Sequence, residues 1–373
     1  MNSSKRRILN NSSPLGASFN QPSTYVSPGL VDLHFHGAFG VDLMTASHQD
    51  LEHLCKKLGA QGIAAFCPTT VSSPRKALLQ TVQRLGSWIR TRTPHPQAAL
   101  PLGIHLEGPF LHPQACGAHP PRSVRPLQWD ELHALWEESQ HTLKILTLAP
   151  ETLSPAQLKK LGAWAQMRDI TLSLGHSVAS QAQALRAFEA GFTSVTHAWN
   201  AMPFHTRNPG VLGAALGRKD ISLELIIDQC HLSLEVIRWT RKLHPLSRLC
   251  FISDCLSAGG GRPSPHFKTQ GVSSLGSQRI QFQAGACRLP NGQLAGGGLL
   301  LSQSYPRWLQ AEAQAESIPL LELFHHTLLC VTQAPLDALR LPGSILGNRK
   351  IQWNFSRSGK IKLIPIDSSA GSR

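Results

Sequence analysis

Eight short apolar runs, separated by stretches of helical amphipathic pattern, limit what this chain can fold into more than any other feature. They are "GLVDLHFHG", "GIAAFCPTTV", "PLGIHLEGP", "LKILTLAP", "ITLSLGHS", "FTSVTHAWN", "SLELIIDQCH" and "LCFISDCLSAG". Between several of them lie helix-like segments such as "PRKALLQTVQRLGSWIRTR", "SPAQLKKLGAWAQM", "SVASQAQALRAFEAG" and "SLEVIRWTRKLH". Eight strands alternating with helices over about 230 residues have the length and rhythm of an α/β fold of the closed TIM type, a (β/α)8 barrel. A doubly wound open sheet is the competitor, but its glycine fingerprint is missing from the first strand-to-helix turn.

The flanks read differently. Residues 1–26 are rich in Ser, Asn and Pro and predict a flexible N-terminal arm. The barrel is expected over 27–340. Within it, 262–297 breaks the rhythm with short alternating pieces and a "PNGQ" turn, which predicts a hairpin excursion. The tail, 341–373, carries "IQWNFSRSGKIKLIPI" and predicts one or two terminal strands.

Lys and Arg number 36 against 22 Asp and Glu, a formal charge of +14. These charges are dispersed and not interleaved with aromatics, and no zinc-finger or RNA-binding signature is present, so a nucleic-acid partner is not expected. The surplus suits an anionic small substrate equally well. No apolar run approaches the roughly 18 residues of a membrane span, and the N-terminus lacks the apolar stretch of a secretory signal. The eight cysteines form no C-x-x-C pair or regular framework, so they read as reduced thiols and the chain as cytoplasmic.

Ionisable residues follow the apolar runs directly. His34 and His36 close the first, Glu107 the third, His176 the fifth, His197 the sixth and Asp254 the eighth. Residues i and i+2 of a strand point the same way, so the rings of His34 and His36 would enter one space. Taken singly, each has a plain structural reading: His176 a helix-start histidine, His197 a core ring, Asp254 an N-cap. In a barrel, however, the C-terminal strand ends converge on one pocket. Imidazole and carboxylate groups gathered there suit a divalent transition metal such as zinc.

These residues sit in stretches that resemble a known family. "PGLVDLHFHG", "GIHLEGPFL" with "GAHPP", "LGHS", "THAWNAMPF" with "RNPGVLGAAL", "IIDQCH", "ISDCLSAGG" and "LAGG" follow in order the motifs of N-acetylglucosamine-6-phosphate deacetylases, within the metal-dependent amidohydrolase superfamily. The resemblance runs from about residue 27 to about residue 347. It implies hydrolysis of an acetamide on a phosphorylated amino sugar. Glu107, His176 and His197 would be the ligands of one divalent ion, zinc first and iron or another transition metal next. His34 and His36 match an H-x-H pair that some members use for a second ion, which Glu107 would then bridge. Asp254 resembles the general acid/base, and His119 the residue that polarises the acetyl carbonyl. Asn200, Ala201, Arg207 and His231, with Leu294, Ala295 and Gly296 of "LAGG", resemble the sugar-phosphate contacts, Arg207 reaching across a homodimer. A metal at such a site supplies a hydroxide nucleophile near neutral pH. A carboxylate can take up the water's proton and return it to the departing amine.

The chain also departs from the family pattern. Only 27 residues precede Pro28, and they do not read as strands; the tail lacks the usual "GxxADLVxxD". A reduced or incomplete flanking β-sandwich is expected. Gly297 stands where a serine is usual and Gln229 where a glycine is common, leaving room for another sugar. The alternatives are therefore a deacetylase of the galactosamine epimer, or an inactive sugar-phosphate-binding regulator. A cyclic-amide hydrolase would need a lysine at the end of the fourth strand, whereas Lys144 opens it.

Overall fold

A computed structural model describes residues 7–8, 23–261, 272–356 and 358–366. Eight parallel strands form its centre: β1 (Leu30–Phe35), β2 (Ile63–Pro68), β3 (Ile104–Glu107), β4 (Leu143–Leu148), β5 (Thr171–Leu174), β6 (Phe192–Val195), β7 (Ser222–Ile226) and β8 (Leu249–Ile252). Each is followed by a helix: α1 (His48–Ala60), α2 (Arg75–Thr91), α3 (Trp129–Glu138), α4 (Pro155–Gln166), α5 (Gln181–Glu189), α6 (Gly210–Leu216), α7 (Leu234–Leu243) and α8 (Leu301–Glu316). Strands β3 to β8 pair in sequence order, and β1 pairs with β2. Bridges between Thr69 and His105 and between Phe35 and Cys255 close the ring. This is the (β/α)8 barrel that the alternation predicts.

Helix starts are locally encoded. Ser47, Ser154 and Ser180 each cap the N-terminus of α1, α4 and α5, with Asp50, Gln157 and Gln183 reaching back in a capping box. The strands are buried on both faces, as expected of a parallel sheet wrapped by helices. At the N-terminal end, Val31, Leu33, Ala65, Cys67, Ile145, Ile226, Cys250 and Ile252 pack against Leu336, Leu339 and Leu346 in an apolar plug. Further along the barrel the interior turns polar: His105, Thr147, Ser173, Thr196 and Glu224 are buried.

The expected arm is corrected in part. Ser23–Pro28 is a strand, antiparallel to Lys350–Phe355, in a four-stranded sheet with Arg7–Ile8 and Ile361–Pro365. The polar letters of "STYVSP" conceal it, because the segment is only half-buried and takes its stability from the partner strand. Trp353 is fully buried there and donates to Ser27 Oγ at 2.8 Å. The rest of the expected arm lies outside the described residues. The expected excursion is a four-stranded antiparallel sheet of Val272–Leu275, Gln278–Gln283, Ala286–Arg288 and Leu294–Gly297, with residues 262–271 outside the description. A bridge from Gly297 to Cys255 ties it to the mouth of the barrel. All eight cysteines are free. Among the described residues no helix is long and apolar enough to cross a membrane.

Candidate active site

The candidate residues stand where strands end and the backbone turns sharply. His176, His197 and Asp254, just past β5, β6 and β8, have φ of 49°, 30° and 50°, in the left-handed region. Such a conformation costs roughly 1–2 kcal/mol per non-glycine residue, and strain of this kind clusters at functional sites. Surrounding hydrogen bonds hold it: Asp254 N donates to His34 O at 3.0 Å and Gly297 N to Asp254 O at 2.7 Å. Trp199 and Ala201, in the loop after His197, share the left-handed backbone. A register shift in β1 between Asp32 and Phe35 marks where His34 leaves the regular ladder.

Side chains from five strand ends meet around Glu107, which is 2% exposed. Its Oε1 lies 3.1 Å from His176 Nε2 and 3.0 Å from His197 Nε2, and those two nitrogens are 3.0 Å apart. Its Oε2 lies 3.4 Å from His34 Nε2 and 3.3 Å from His36 Nε2, themselves 3.1 Å apart. Asp254 Oδ1 completes the second set at 3.4 and 3.3 Å from the same nitrogens.

Proton accounting tells what these groups need. His176 Nδ1 is 2.8 Å from Ala115 O, and a carbonyl only accepts. In the neutral ring Nδ1 therefore carries the proton and Nε2 turns a lone pair toward an anionic oxygen. That lone pair and the carboxylate repel unless a cation or an extra proton lies between them. A tetrahedral ion with bonds of 2.0–2.1 Å has donor-to-donor edges of about 3.3 Å. Both sets match that spacing to a few tenths of an ångström, so either could hold a divalent metal.

His119 is of a different kind. The amide of Ser72, which can only donate, points at His119 Nδ1 at 3.0 Å, with Ser72 Oγ at 2.8 Å from the same atom. Nδ1 is thus the acceptor, and the neutral ring carries its proton on Nε2, 3.2 Å from Glu107 Oε2. His119 is a donor at this site rather than a ligand. Burial, only partly offset by Glu107, lowers its pKa to about 4, so the ring is neutral at pH 7. Burial alone would raise the Glu107 carboxyl; His34, then His119 and His176, outweigh it and hold Glu107 well below the usual carboxylate range. Asp254 is likewise held below its ordinary value, burial being outweighed by His34 and His36.

Other residues line the approach. A Cβ added to Gly117 would lie 3.2 Å from His176 Cε1 and 3.9 Å from Ala201 Cβ, which puts Ala201 beside the donor cluster. Asn200 donates its amide to His197 O at 3.3 Å. His231 is paired to Asp228 at 2.8 Å, both side chains almost fully buried. Burial would lower the His231 pKa, but Asp228 overcomes it and raises it. Leu294, Ala295 and Gly296 form the last strand of the small sheet, with the Gly296 backbone against Asp254 O. Arg207 is not gathered with them; it is exposed, in a loop that turns through His205 and Asn208. Gln229 has a φ of 63°, which explains why a glycine is at home there. A Cβ on Gly297 would meet Ser253 O at 2.1 Å, so this backbone admits no serine.

Three buried partners were not singled out from the sequence: Glu224, Asp228 and His105. His105 has both nitrogens occupied, Nδ1 by Leu33 O and Nε2 by Thr147 Oγ1, so it supports the barrel interior and is no ligand. Its "HLE" context next to Glu107 was the only local signal.

Comparison with known proteins identifies the family. Residues 25–259 match the amidohydrolase family. The chain is 32% identical to an N-acetylglucosamine-6-phosphate deacetylase of Bacillus subtilis over 74% of its own length and 67% of the relative's. It is 33% identical to an N-acetylgalactosamine-6-phosphate deacetylase of Escherichia coli O157:H7, over 73% and 69%. Among solved structures, the N-acetyl-D-glucosamine-6-phosphate deacetylase of Mycobacterium smegmatis, an alanine variant in complex with N-acetyl-D-glucosamine-6-phosphate, superposes with a TM-score of 0.78 at 26% identity, covering 94% of this chain and 88% of that one. The chain belongs to the amidohydrolase family, in the branch that includes the N-acetylglucosamine-6-phosphate deacetylases.

Proposed function

We propose that this protein hydrolyses the acetamide of N-acetylglucosamine 6-phosphate to glucosamine 6-phosphate and acetate. In this reading Glu107, His176 and His197 would hold one divalent cation, and His34 and His36, with Glu107, would hold a second. Nitrogen-rich, compact donor sets favour zinc, with iron as the next choice. When bound, the metal lowers the pKa of water and polarises a carbonyl. The chain's own groups then do the rest. Asp254, held ionised beside His34 and His36, accepts the proton of the attacking water and returns it to the amine nitrogen as the C–N bond breaks. His119 Nε2–H, neutral and fixed by Ser72, donates to the oxyanion that forms on the acetyl oxygen. His231, its pKa raised by Asp228, binds the sugar phosphate with Asn200, Ala201 and the Leu294–Gly296 strand. Arg207, exposed on its own subunit, reaches the phosphate of a partner in a homodimer.

One observation carries the proposal: Glu107 joins two donor sets of metal-ligand spacing, with a carboxylate and a neutral imidazole donor at their edge. The test is acetate release from a panel of N-acetylated hexosamine 6-phosphates by purified, metal-quantified protein, with Asp254→Asn alongside. Release from the glucosamine compound, lost in the variant, is expected. If both proteins are inert toward the whole panel, the chain is a sugar-phosphate binder. Preference for the galactosamine compound is the second reading, favoured by the similarity to the Escherichia coli O157:H7 enzyme and by Gln229 beside Asp228.

A further inference from the structure

We infer that Glu224 is a positioning residue for the second cation: its carboxylate fixes the proton of His34 on Nδ1, commits Nε2 to the metal, and ties that ring to the backbone of His197 at the first cation. The inference rests on the two-cation reading above.

Glu224 lies in β7 and is 1% exposed. Its Oε2 is 3.2 Å from His34 Nδ1 and accepts the backbone N–H of His197 at 3.3 Å. Its own carbonyl accepts Ala198 N at 2.7 Å, so the strand end is braced on both sides of His197. A carboxylate only accepts, so the proton between it and His34 sits on the imidazole, and the neutral ring's Nε2 must turn a lone pair toward His36, Glu107 and Asp254. His105, whose ring packs edge-on against His34 at 4.6 Å, cannot replace Glu224, since both its nitrogens are engaged.

Capping a backbone amide does not explain the charge. At the end of β2 the same task falls to Thr69, whose hydroxyl accepts Phe35 N at 2.9 Å and donates to Cys67 O at 3.0 Å, a neutral arrangement with nothing left over. Glu224 instead buries a full carboxylate and leaves Oε1 without a hydrogen-bond partner among the described residues. An unpartnered buried oxygen is costly. The negative charge is compensated once a cation pulls on the far side of the His34 ring, the arrangement in which a carboxylate orients a metal-bound histidine and raises its basicity.

The test titrates Co²⁺ or Zn²⁺ into metal-free wild type, Glu224→Gln, Glu224→Met and His34→Ala. Metal per protomer and the visible Co²⁺ spectrum are read alongside the melting temperature of each metal-free protein. Wild type is expected to take two equivalents and His34→Ala one. Glu224→Met, which fills the space without an acceptor, should bind the second equivalent about 10–100-fold more weakly with an altered spectrum; Glu224→Gln, which keeps an acceptor oxygen, should lose less. If wild type takes two and both Glu224 variants match it in affinity and spectrum, the inference is overturned while the two-cation reading stands. One equivalent in wild type overturns both. A merely structural role would lower the metal-free melting temperature and leave the second-site affinity and the Co²⁺ spectrum untouched, which also overturns it. Should the methionine variant fail to fold, the glutamine variant decides alone.

Discussion

Replacing His119 by leucine tests the proton assignment on which the chemistry turns. The Ser72 amide and hydroxyl hold Nδ1, so the proton on Nε2 is the one lost. Removal of one oxyanion donor lowers kcat by about 10²–10³, equivalent to about 2.7–4 kcal/mol. KM should move little, because the interaction strengthens only as charge develops. Stability also falls, since the buried Ser72 amide loses its acceptor at a cost of about 1–3 kcal/mol. His119→Gln, which can return an N–H near Nε2, should recover part of the rate. The pH dependence offers a second readout. The folded ring titrates at about 4 against 6.5 in the unfolded chain. A depressed value means that stability is fully present above pH 6.5 and is lost as pH falls toward 4, by about 3 kcal/mol for this group. Metal-free His119→Gln should therefore lose about that much less than metal-free wild type between pH 6.5 and 4 in urea denaturation. A leucine variant with kcat within tenfold of wild type, or identical acid slopes for glutamine variant and wild type, would refute the assignment.

Other consequences can be checked in parallel. Asp228→Asn should return His231 toward a lower pKa; the pair stabilises the protein above the ordinary Asp value of 3.8 and below the ordinary His value of 6.5, and loses that contribution on either side, so the wild-type advantage in KM and in melting temperature should be greatest between them. Chelation should lower the melting temperature in a manner reversed by added zinc, with a ligand contribution of about 2.7 kcal/mol when free metal is a hundred times its Kd. Glu312→Gln, which takes a fully buried carboxylate from Arg238 and Arg241 but leaves both facing Glu316, should cost about 1–3 kcal/mol by urea denaturation while leaving kcat unchanged.

The barrel was legible because its strands are buried on both faces and read as continuous apolar runs, and the polar residue after each run stands out against that background. Ser23–Pro28 was not, since a half-buried strand with alternating polar residues looks like a linker until its partner, more than three hundred residues away, is known. The same distance hides the residues that govern protonation. Glu224 is 190 positions from His34, and Ser72, which acts on His119 through its amide and its hydroxyl, is 47 positions from it. Sequence names the groups that can do chemistry; only the fold says which nitrogen keeps its proton.

The two ends of the barrel divide the work accordingly. At the N-terminal end, the side chains of Val31, Leu33, Cys67 and Ile252 pack on Leu336 and Leu339 in one apolar cluster. At the other, His176, His197 and Asp254 hold strained backbone, and Glu224 holds an oxygen without a hydrogen-bond partner among the described residues. Strain and unmet polarity of this kind persist only where the surrounding structure over-determines them, and here the ladders of β5 to β8 and the sheet ending at Gly297 supply that constraint. The tautomers of His119 and His176 then follow from a backbone amide and a backbone carbonyl whose hydrogen-bonding sense cannot be reversed. Chemistry at this site is therefore fixed by the barrel before any substrate arrives.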